Sequence, residues 1–267
     1  MRKALTEPRG ARAPGGRLAG LVRKVLPPAA RARLRRLLRL RRLVLRPRWG
    51  NLRRRRPFSE HFGNDRGTPV DRVYIARFLA EHAVDVRGRV LEVGDAAYTR
   101  RYGGRMVTGG DVLDIDPGNQ AATIVADLAR PDSLPADRFD CFLLIQTLQY
   151  VADVQAALRN AWRSLRPGGV LLVCVPGISR LDPDPGPEHD LYRFTPAGLA
   201  ATLRATLPAA GQRVVGYGNL LAAVAFLYGI AAEELRPEEL AAYDPHYPVL
   251  AAARVVKPAG PARQGPP

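Results

Sequence analysis

The sequence predicts an α/β fold: a Rossmann-like, doubly wound sheet of seven strands, mostly parallel, with an antiparallel last strand. Three observations predict it. Short and almost continuously apolar segments recur along the chain, amphipathic helical segments separate several of them, and polar residues stand where the apolar segments end. Apolar strands separated by helices are typical of a parallel sheet covered on both faces. With 46% hydrophobic residues among 267, the chain can bury a large core.

The net charge of +16 is unevenly distributed. Residues 1–56 hold 20 of the 41 Lys and Arg residues and a single acid, so the rest of the chain is mildly acidic. We therefore predict a basic, partly disordered and partly helical extension over 1–56, a globular domain over 57–257 and a disordered tail over 258–267. Cys141 and Cys174 both lie in apolar runs and indicate neither a zinc site nor a disulfide framework, which fits a reducing, cytoplasmic compartment.

The sequence of the basic extension is consistent with more than one binding partner. From residue 28 to 45, leucines recur near helical spacing among arginines. A solvated extension and an interfacial helix are both consistent with that pattern, and in the second case residues 28–56 would contact an anionic membrane peripherally. RNA or another polyanion is a third alternative, but Trp49 is the only aromatic residue of the block, so we do not expect nucleic-acid binding. We also expect no membrane span and no secretory signal.

The pattern defines each element of the domain in order. Strands are predicted over 89–94, within 106–116, and over 122–127, 139–146, 170–175, 213–217 and 249–256. Helices are predicted over 70–82, 154–165, 195–207 and 219–235. Thr68 is expected to cap the first helix, with Pro69 at its first position, and Arg-Pro-Gly-Gly at 166–169 to end the second. The broad apolar surface of 219–235 favours burial against the sheet or in a homodimer.

Candidate binding residues follow the strands. In an open α/β sheet, ligands bind outside the carboxyl ends of the strands, where the strand order reverses. Asp114 stands twenty residues after Gly94, about where an acid meets ribose hydroxyls in nucleoside-binding folds. Asp111 and Asp116 are rivals for that role, because the sequence does not define where this strand ends.

Four segments carry a resemblance to a known family: VLEVG (90–94), VLDID (112–116), the stretch 125–151, and the helix and strand of 156–176. The chain resembles the class I S-adenosylmethionine-dependent methyltransferases over about residues 70–256. LRPGGVLLVCVP (165–176) is the strongest piece. FGNDRGTPVDRVYIARFL and GDAAYTRRYGG are similar to a bacterial, type 11-like subgroup often found with glycan-modifying enzymes.

The resemblance implies S-adenosyl-L-methionine as the cofactor and a set of residues that bind it. The implied contacts are Glu92, Gly94 and Asp95 near the methionine part, Asp114 at the ribose, Asp127 and Leu128 at the adenine, and Gln146 near the sulfonium. The loop departs from the family pattern, because Ala96 and Tyr98 stand where two further glycines are usual.

The acceptor side is expected in the loop after the fifth strand. An oxygen acceptor benefits from a base near its proton, and the phrase EHDLYRFTP offers His189, Asp190 and Tyr192 as catalytic candidates. The alternative is that Tyr192 packs against the following helix while His189 is solvated. His61, before the first helix, is a further candidate.

Two motifs that are missing from the sequence restrict the class of methyl acceptor. The fourth strand ends in IQTL, without the Asn/Asp-Pro-Pro-aromatic tetrad of nucleobase and glutamine methyltransferases, and no cluster has the spacing of metal ligands. The prediction is therefore O-methylation of a small molecule, sugar or glycan precursor. The alternative is a non-catalytic Rossmann-like module recruited by its basic arm to a membrane or polyanion. A nicotinamide-dependent oxidoreductase is disfavoured, because G-x-G-x-x-G is missing.

Overall fold

A computed structural model describes residues 27, 49–184, 186–207 and 211–259. The chain divides into two compact units, Met1–Arg55 and Arg56–Pro267. In the first unit, Gly50–Arg53 form a short 3-10 helix, and the Arg53 guanidinium lies 5.4 Å from the centre of the Trp49 ring. The helix predicted within 28–45 and the end of the predicted tail lie outside the described residues.

The second unit contains a seven-stranded sheet with the order β3-β2-β1-β4-β5-β7-β6. All neighbouring strands are parallel except β7, which is antiparallel to both β5 and β6. The predicted mixed sheet is therefore confirmed. The strands are β1 Gly88–Val93, β2 Val107–Asp114, β3 Ile124–Val125, β4 Phe139–Ile145, β5 Leu165–Pro176, β6 Gly211–Tyr217 and β7 Leu250–Val256.

Helices cover both faces of this sheet, which explains why its central strands are apolar without alternation. Leu158 of α2 and Leu203 of α3 pack in the core on one face, and Phe78 of α1 and Phe226 of α4 pack on the other. The helices are α1 Val70–Glu81, α2 Val154–Ser164, α3 Pro196–Thr206, α4 Leu220–Tyr228 and α5 Pro237–Ala241. No helix among the described residues is long and apolar enough to cross a membrane.

The chain from β1 to β2 has a short π-helical turn, Thr99–Gly103, and a 3-10 turn, Gly104–Met106, where a longer helix is usual in an alternating fold. Residues 115–138 form turns and β3 but no helix. The sheet edge that carries β2 and β3 is therefore bordered by loops. These loops bring polar side chains to the carboxyl ends of the strands.

The start of the first helix differs from the prediction. Pro69 is the N-cap residue of α1, and Thr68 makes no capping hydrogen bond. The Thr68 amide and hydroxyl instead donate to the Glu233 carboxylate, at 2.9 and 2.6 Å. A partner 165 residues away has replaced the local cap.

The predicted helix over 219–235 is wrong in its second half. Asn219 caps α4 by accepting a hydrogen bond from the Ala222 amide at 3.0 Å. The helix then ends at Gly229, which has a φ of +65° and lies so close to Ser59 that a Cβ would meet the Ser59 carbonyl oxygen at 2.4 Å. Only glycine combines that conformation with that approach. The start of the fifth strand also differs from the predicted 170–175. β5 begins at Leu165, directly after α2, because Leu165 already pairs with Phe139 of β4.

The strand order reverses between β1 and β4. The chain leaves β1 for β2 on one side and returns to pair β4 on the other side of β1. The carboxyl ends of β1 and β4 therefore border the crevice where ligands of open α/β sheets bind. Gly94 and Gln146 are the first residues after these two strands.

Candidate functional site

The turn after β1 leaves open space above its glycine. Gly94 has a φ of +84°, its amide donates to the Leu113 carbonyl at 2.9 Å, and a Cβ on it would meet no atom within 4 Å. The Asp95 carboxylate accepts the Ala97 amide at 2.5 Å and shapes the turn. A ligand can thus approach the backbone at Gly94, although Ala96 and Tyr98 replace the further glycines of the family pattern.

Glu92 stabilises this turn from below. The side chain is buried, and its two oxygens accept the amides of Tyr98 and Thr99 at 3.0 and 2.7 Å. Burial raises the pKa of Glu92, and these hydrogen bonds oppose the rise. Both oxygens are engaged by the chain itself, so Glu92 acts on the loop's shape.

Asp114 ends β2 beside the turn. Its Oδ1 accepts the Asp116 amide at 3.0 Å, and its Oδ2 accepts the side-chain amide of Asn119 at 2.6 Å. The same Asn119 nitrogen donates to the Gly94 carbonyl at 2.7 Å. Asn119 was not predicted as a site residue, because only the pairing of β1 with β2 brings it between these two residues.

The rival acids are occupied elsewhere. Asp111 is buried within β2, accepts a hydrogen bond from Arg89 Nε at 2.7 Å and forms a second ion pair with Arg138. Asp116 is exposed and accepts the Gly118 amide at 2.7 Å. Of the three acids, Asp114 alone stands at the end of β2 next to Gly94.

The segment after β3 lies along the same edge. The Ala126 amide donates to the Asp114 carbonyl at 2.9 Å. Asp127 is exposed and accepts the Ala129 amide at 2.8 Å, whereas the Leu128 side chain is buried in the core. Asp127 therefore offers a carboxylate at this edge, while Leu128 is anchored in the core through its side chain.

Gln146, directly after β4, has a φ of +51°, a conformation that is uncommon for a non-glycine residue and costs about 1–3 kcal/mol. Its amide donates to the Cys174 carbonyl at 2.8 Å, and its side-chain nitrogen donates to Asp71 Oδ2 at 3.2 Å. The Gln149 side-chain nitrogen donates to the Gln146 carbonyl and Oε1, at 3.0 and 3.2 Å. The strained backbone is thus fixed on both sides.

A narrow cavity of about 70 Å³ opens beside Gln146. Its polar walls come from the start of α1, the segment after β4 and the loop after β5: Asp71, Arg72, Gln149, Tyr150, Asp182, Asp190 and Arg193. The Tyr150 hydroxyl donates to Asp182 Oδ2 at 2.7 Å, and burial raises the pKa of Tyr150. Among these residues, Asp71, which has the pattern of an ordinary first-turn acid, and Tyr150 were not predicted as site residues.

The three acceptor-side candidates are not brought together. Asp190 lines the cavity, and both its oxygens accept hydrogen bonds from Arg193, at 2.5 and 2.6 Å. Burial raises the pKa of Asp190, but the hydrogen bonds from Arg193 and from the Asp182 amide outweigh burial and hold it below its ordinary value. His189 is exposed, with Nε2 3.9 Å from the Glu188 carboxylate.

Tyr192 donates its hydroxyl to the Ala152 carbonyl at 3.0 Å, and its ring packs on Phe194. The hydroxyl is thus engaged by the backbone, and neither His189 nor Tyr192 lines the cavity. His61 is exposed and also lies off the cavity wall. Within the described residues, no group of three or more His, Cys, Asp or Glu side chains could hold a metal ion.

Comparison with known proteins places part of this unit in a described family. Residues 80–173 match a family described as "Methyltransferase domain". The match over this segment, with the strand order and the polar edge above, supports a class I S-adenosylmethionine-dependent methyltransferase domain. Its cofactor is S-adenosylmethionine, which, when bound, supplies an activated methyl group on a sulfonium. No curated protein matches the chain.

Among solved structures, the chain is similar to the cyclase SpnF, with 17% identity, 77% of this chain and 88% of that chain covered, and a TM-score of 0.49. It is also similar to an S-adenosylmethionine-dependent methyltransferase from Mesorhizobium loti, with 15% identity, 70% and 98% covered, and a TM-score of 0.48. A third is the N-methyltransferase NodS from Bradyrhizobium japonicum WM9, with 16% identity, 75% and 94% covered, and a TM-score of 0.47.

The residues at the edge fit this cofactor. The space above Gly94 admits a ligand close to the backbone, and the Asp114 carboxylate stands at the end of the neighbouring strand, where ribose hydroxyls need an acceptor. The buried carboxyl group of Asp71 lies further along the same edge, next to Gln146.

Proposed function

We propose that this methyltransferase acts on an oxygen atom of a small molecule, sugar or glycan precursor. The observation that carries the proposal is the cavity at the end of β4, whose walls are rich in hydrogen-bonding side chains. Such walls suit a hydroxylated acceptor. Methyl transfer from a sulfonium asks the protein mainly to align the acceptor and to exclude water, which a narrow cavity supports.

The cofactor would be held by residues on two sides of the crevice. We propose that Glu92, Gly94 and Asp95 shape the turn that faces its methionine part, and that Asp114 accepts hydrogen bonds from its ribose. The carboxylate of Asp127 and the backbone amide of Leu128 would meet the adenine at the β3 side. Gln146 would border the reacting end.

On the acceptor side, we propose that Asp190 holds Arg193 in the cavity wall, where the guanidinium can meet an acceptor oxygen. His189 and Tyr192 remain candidates for contacts at the mouth of the loop. For Tyr192, a catalytic contact requires its hydroxyl to leave the Ala152 carbonyl.

The test is calorimetric titration of the full chain with S-adenosylmethionine and S-adenosylhomocysteine. We expect micromolar binding that Asp114→Ala abolishes and that Asp116→Ala, its exposed neighbour, leaves within about twofold. Transfer of a labelled methyl group is then measured onto monosaccharides and nucleotide sugars. Absence of cofactor binding by the parent protein would favour the non-catalytic module. Transfer to nitrogen alone would overturn the oxygen assignment.

We also propose that residues 28–56 contact anionic membrane at the cytoplasmic surface, because their bases are dense and interspersed with leucine. The full chain should co-sediment with phosphatidylglycerol vesicles at low salt and remain in the supernatant at high salt. It should not co-sediment with phosphatidylcholine vesicles. A homodimer is a separate proposal, for which sedimentation equilibrium of the full chain is the direct measurement.

A further inference from the structure

Asp71 carries a buried carboxyl group with one oxygen unused. The residue is 7% exposed, and its Oδ2 accepts the Gln146 side-chain amide at 3.2 Å. Its Oδ1 has no hydrogen-bond partner anywhere in the described part of the chain. A buried acceptor without a partner is destabilising, and a bound ligand can satisfy it.

The neighbouring donors are committed elsewhere. Arg72 Nε lies 4.0 Å from Asp71 Oδ2, but its guanidinium donates to the Tyr98 hydroxyl at 3.1 Å and is half exposed. The Gln149 nitrogen donates to Gln146. The arrangement therefore holds the carboxyl group in place through Gln146 while leaving Oδ1 for a ligand.

The sheet order fixes which part of the cofactor comes near this carboxyl group, given the proposed function. The strands run β3-β2-β1-β4 along the edge. With adenine on the β3 side and ribose at Asp114 on β2, the rest of the molecule extends over β1 towards β4. Its sulfur, which is attached to the ribose, then lies on the side where Gln146 holds Asp71.

We propose that Asp71 is the negative charge by which this protein distinguishes the cationic cofactor from the neutral product. The sulfonium of S-adenosylmethionine is positive, and the thioether of S-adenosylhomocysteine is not. At a buried site, opposite charges several ångströms apart attract much more strongly than they do in water. The attraction ends when the methyl group leaves, so the product is held less tightly than the substrate.

The electrostatic surroundings of Asp71 are consistent with this role. Burial raises the pKa of Asp71, and this rise exceeds the opposing effects of the Arg72 charge, two backbone amides and Gln146. The other titratable groups that face it are Tyr98, after β1, and Cys174, on β5. Because Arg72 approaches only to 4.0 Å and is half exposed, the buried carboxyl group can still receive a second positive charge.

The experiment measures dissociation constants of the full chain for S-adenosylmethionine, S-adenosylhomocysteine and sinefungin, whose ammonium group replaces the sulfonium. The parent protein should bind both cationic ligands at least about tenfold more tightly than S-adenosylhomocysteine. Asp71→Asn, which is isosteric and still accepts from Gln146, should reduce that preference to within about twofold and leave the affinity for S-adenosylhomocysteine unchanged.

Asp182→Asn is the matched control, because Asp182 lines the same cavity but already has Tyr150 as a partner. It should keep the parent's preference. Asp71→Ser serves if the Asn variant does not fold. A preference that survives removal of the Asp71 charge, or that Asp182→Asn lowers equally, would overturn the proposal and assign Oδ1 to the acceptor. Loss of all cofactor binding in the parent protein would instead refute the proposed function.

Discussion

The side-chain nitrogen of Asn119 joins the Gly94 carbonyl to the Asp114 carboxylate, at 2.7 and 2.6 Å. The bridge connects the turn after β1 to the end of β2. A single side chain therefore positions both the backbone that we propose faces the methionine part of the cofactor and the acid that we propose faces its ribose.

Asn119→Ala should weaken S-adenosylhomocysteine binding about 5- to 30-fold, because the loss of hydrogen bonds to a carboxylate costs about 1–2 kcal/mol. Asn119→Asp should weaken it further, since it places a second carboxylate beside Asp114. Calorimetric titration measures both, with the exposed Gln120→Ala as the control. Parent-like affinity in both Asn119 variants would show that the bridge is dispensable.

Gly94→Ala should lower both the stability of the protein, through backbone strain, and its affinity for the cofactor, through lost space for the ligand. A non-glycine residue at φ +84° costs about 1 kcal/mol or more of folding free energy, and the new Cβ meets nothing in the protein itself. Gly168→Ala is the matched control, because Gly168 has a φ of +80°, equally open surroundings and a place early in β5.

We expect both alanine variants to lower the urea midpoint similarly, and only Gly94→Ala to weaken cofactor binding, by tenfold or more. Equal affinity in the two variants would mean that the cofactor does not approach the backbone at Gly94.

Asp71→Asn should stabilise the ligand-free protein at neutral pH. The folded-state pKa of Asp71 lies above its ordinary value of 3.8, so its charged form is disfavoured by folding. Stability from the protonated form is present below the ordinary pKa and is lost as the pH rises through the folded-state pKa.

The variant should therefore be about 1 kcal/mol more stable than the parent near pH 7.5 and equal to it near pH 3.5, provided that both remain folded there. Urea unfolding at the two pH values measures this. A stability difference that does not change with pH would contradict the assigned cause.

Arg193→Gln should destabilise the loop after β5. Removing Arg193 from this partly buried ion pair takes two charge-assisted hydrogen bonds from the Asp190 carboxylate and costs about 1–3 kcal/mol. Asp190→Asn in the same chain should recover part of the loss, which a double-mutant cycle in urea reports. Affinity for S-adenosylhomocysteine should stay within about twofold, since the pair lies on the acceptor side. A large loss of that affinity would show that the loop after β5 contributes to cofactor binding.

Strand content and the position of Asp114 could be predicted from the sequence, because apolar runs and the spacing from Gly94 are local signals. Asn119 and Asp71 could not, because their partners are set by the pairing of β1 with β2 and by the packing of α1 near β4. The helix over 219–235 failed for a related reason. The hydrophobic pattern continues past Gly229, but the left-handed conformation of Gly229 ends the helix there, where the backbone lies close to Ser59.

The cavity walls come largely from outside the matched segment 80–173. Asp71 and Phe62 precede it, and Asp190 and Phe226 follow it, whereas Gly94 and Asp114 lie within it. Under the proposed function, changes in the flanking segments can therefore alter the acceptor while the residues proposed to bind the cofactor stay the same. Two proteins that are similar over this segment can therefore differ in substrate. Their similarity predicts the methyl donor but not the methyl acceptor.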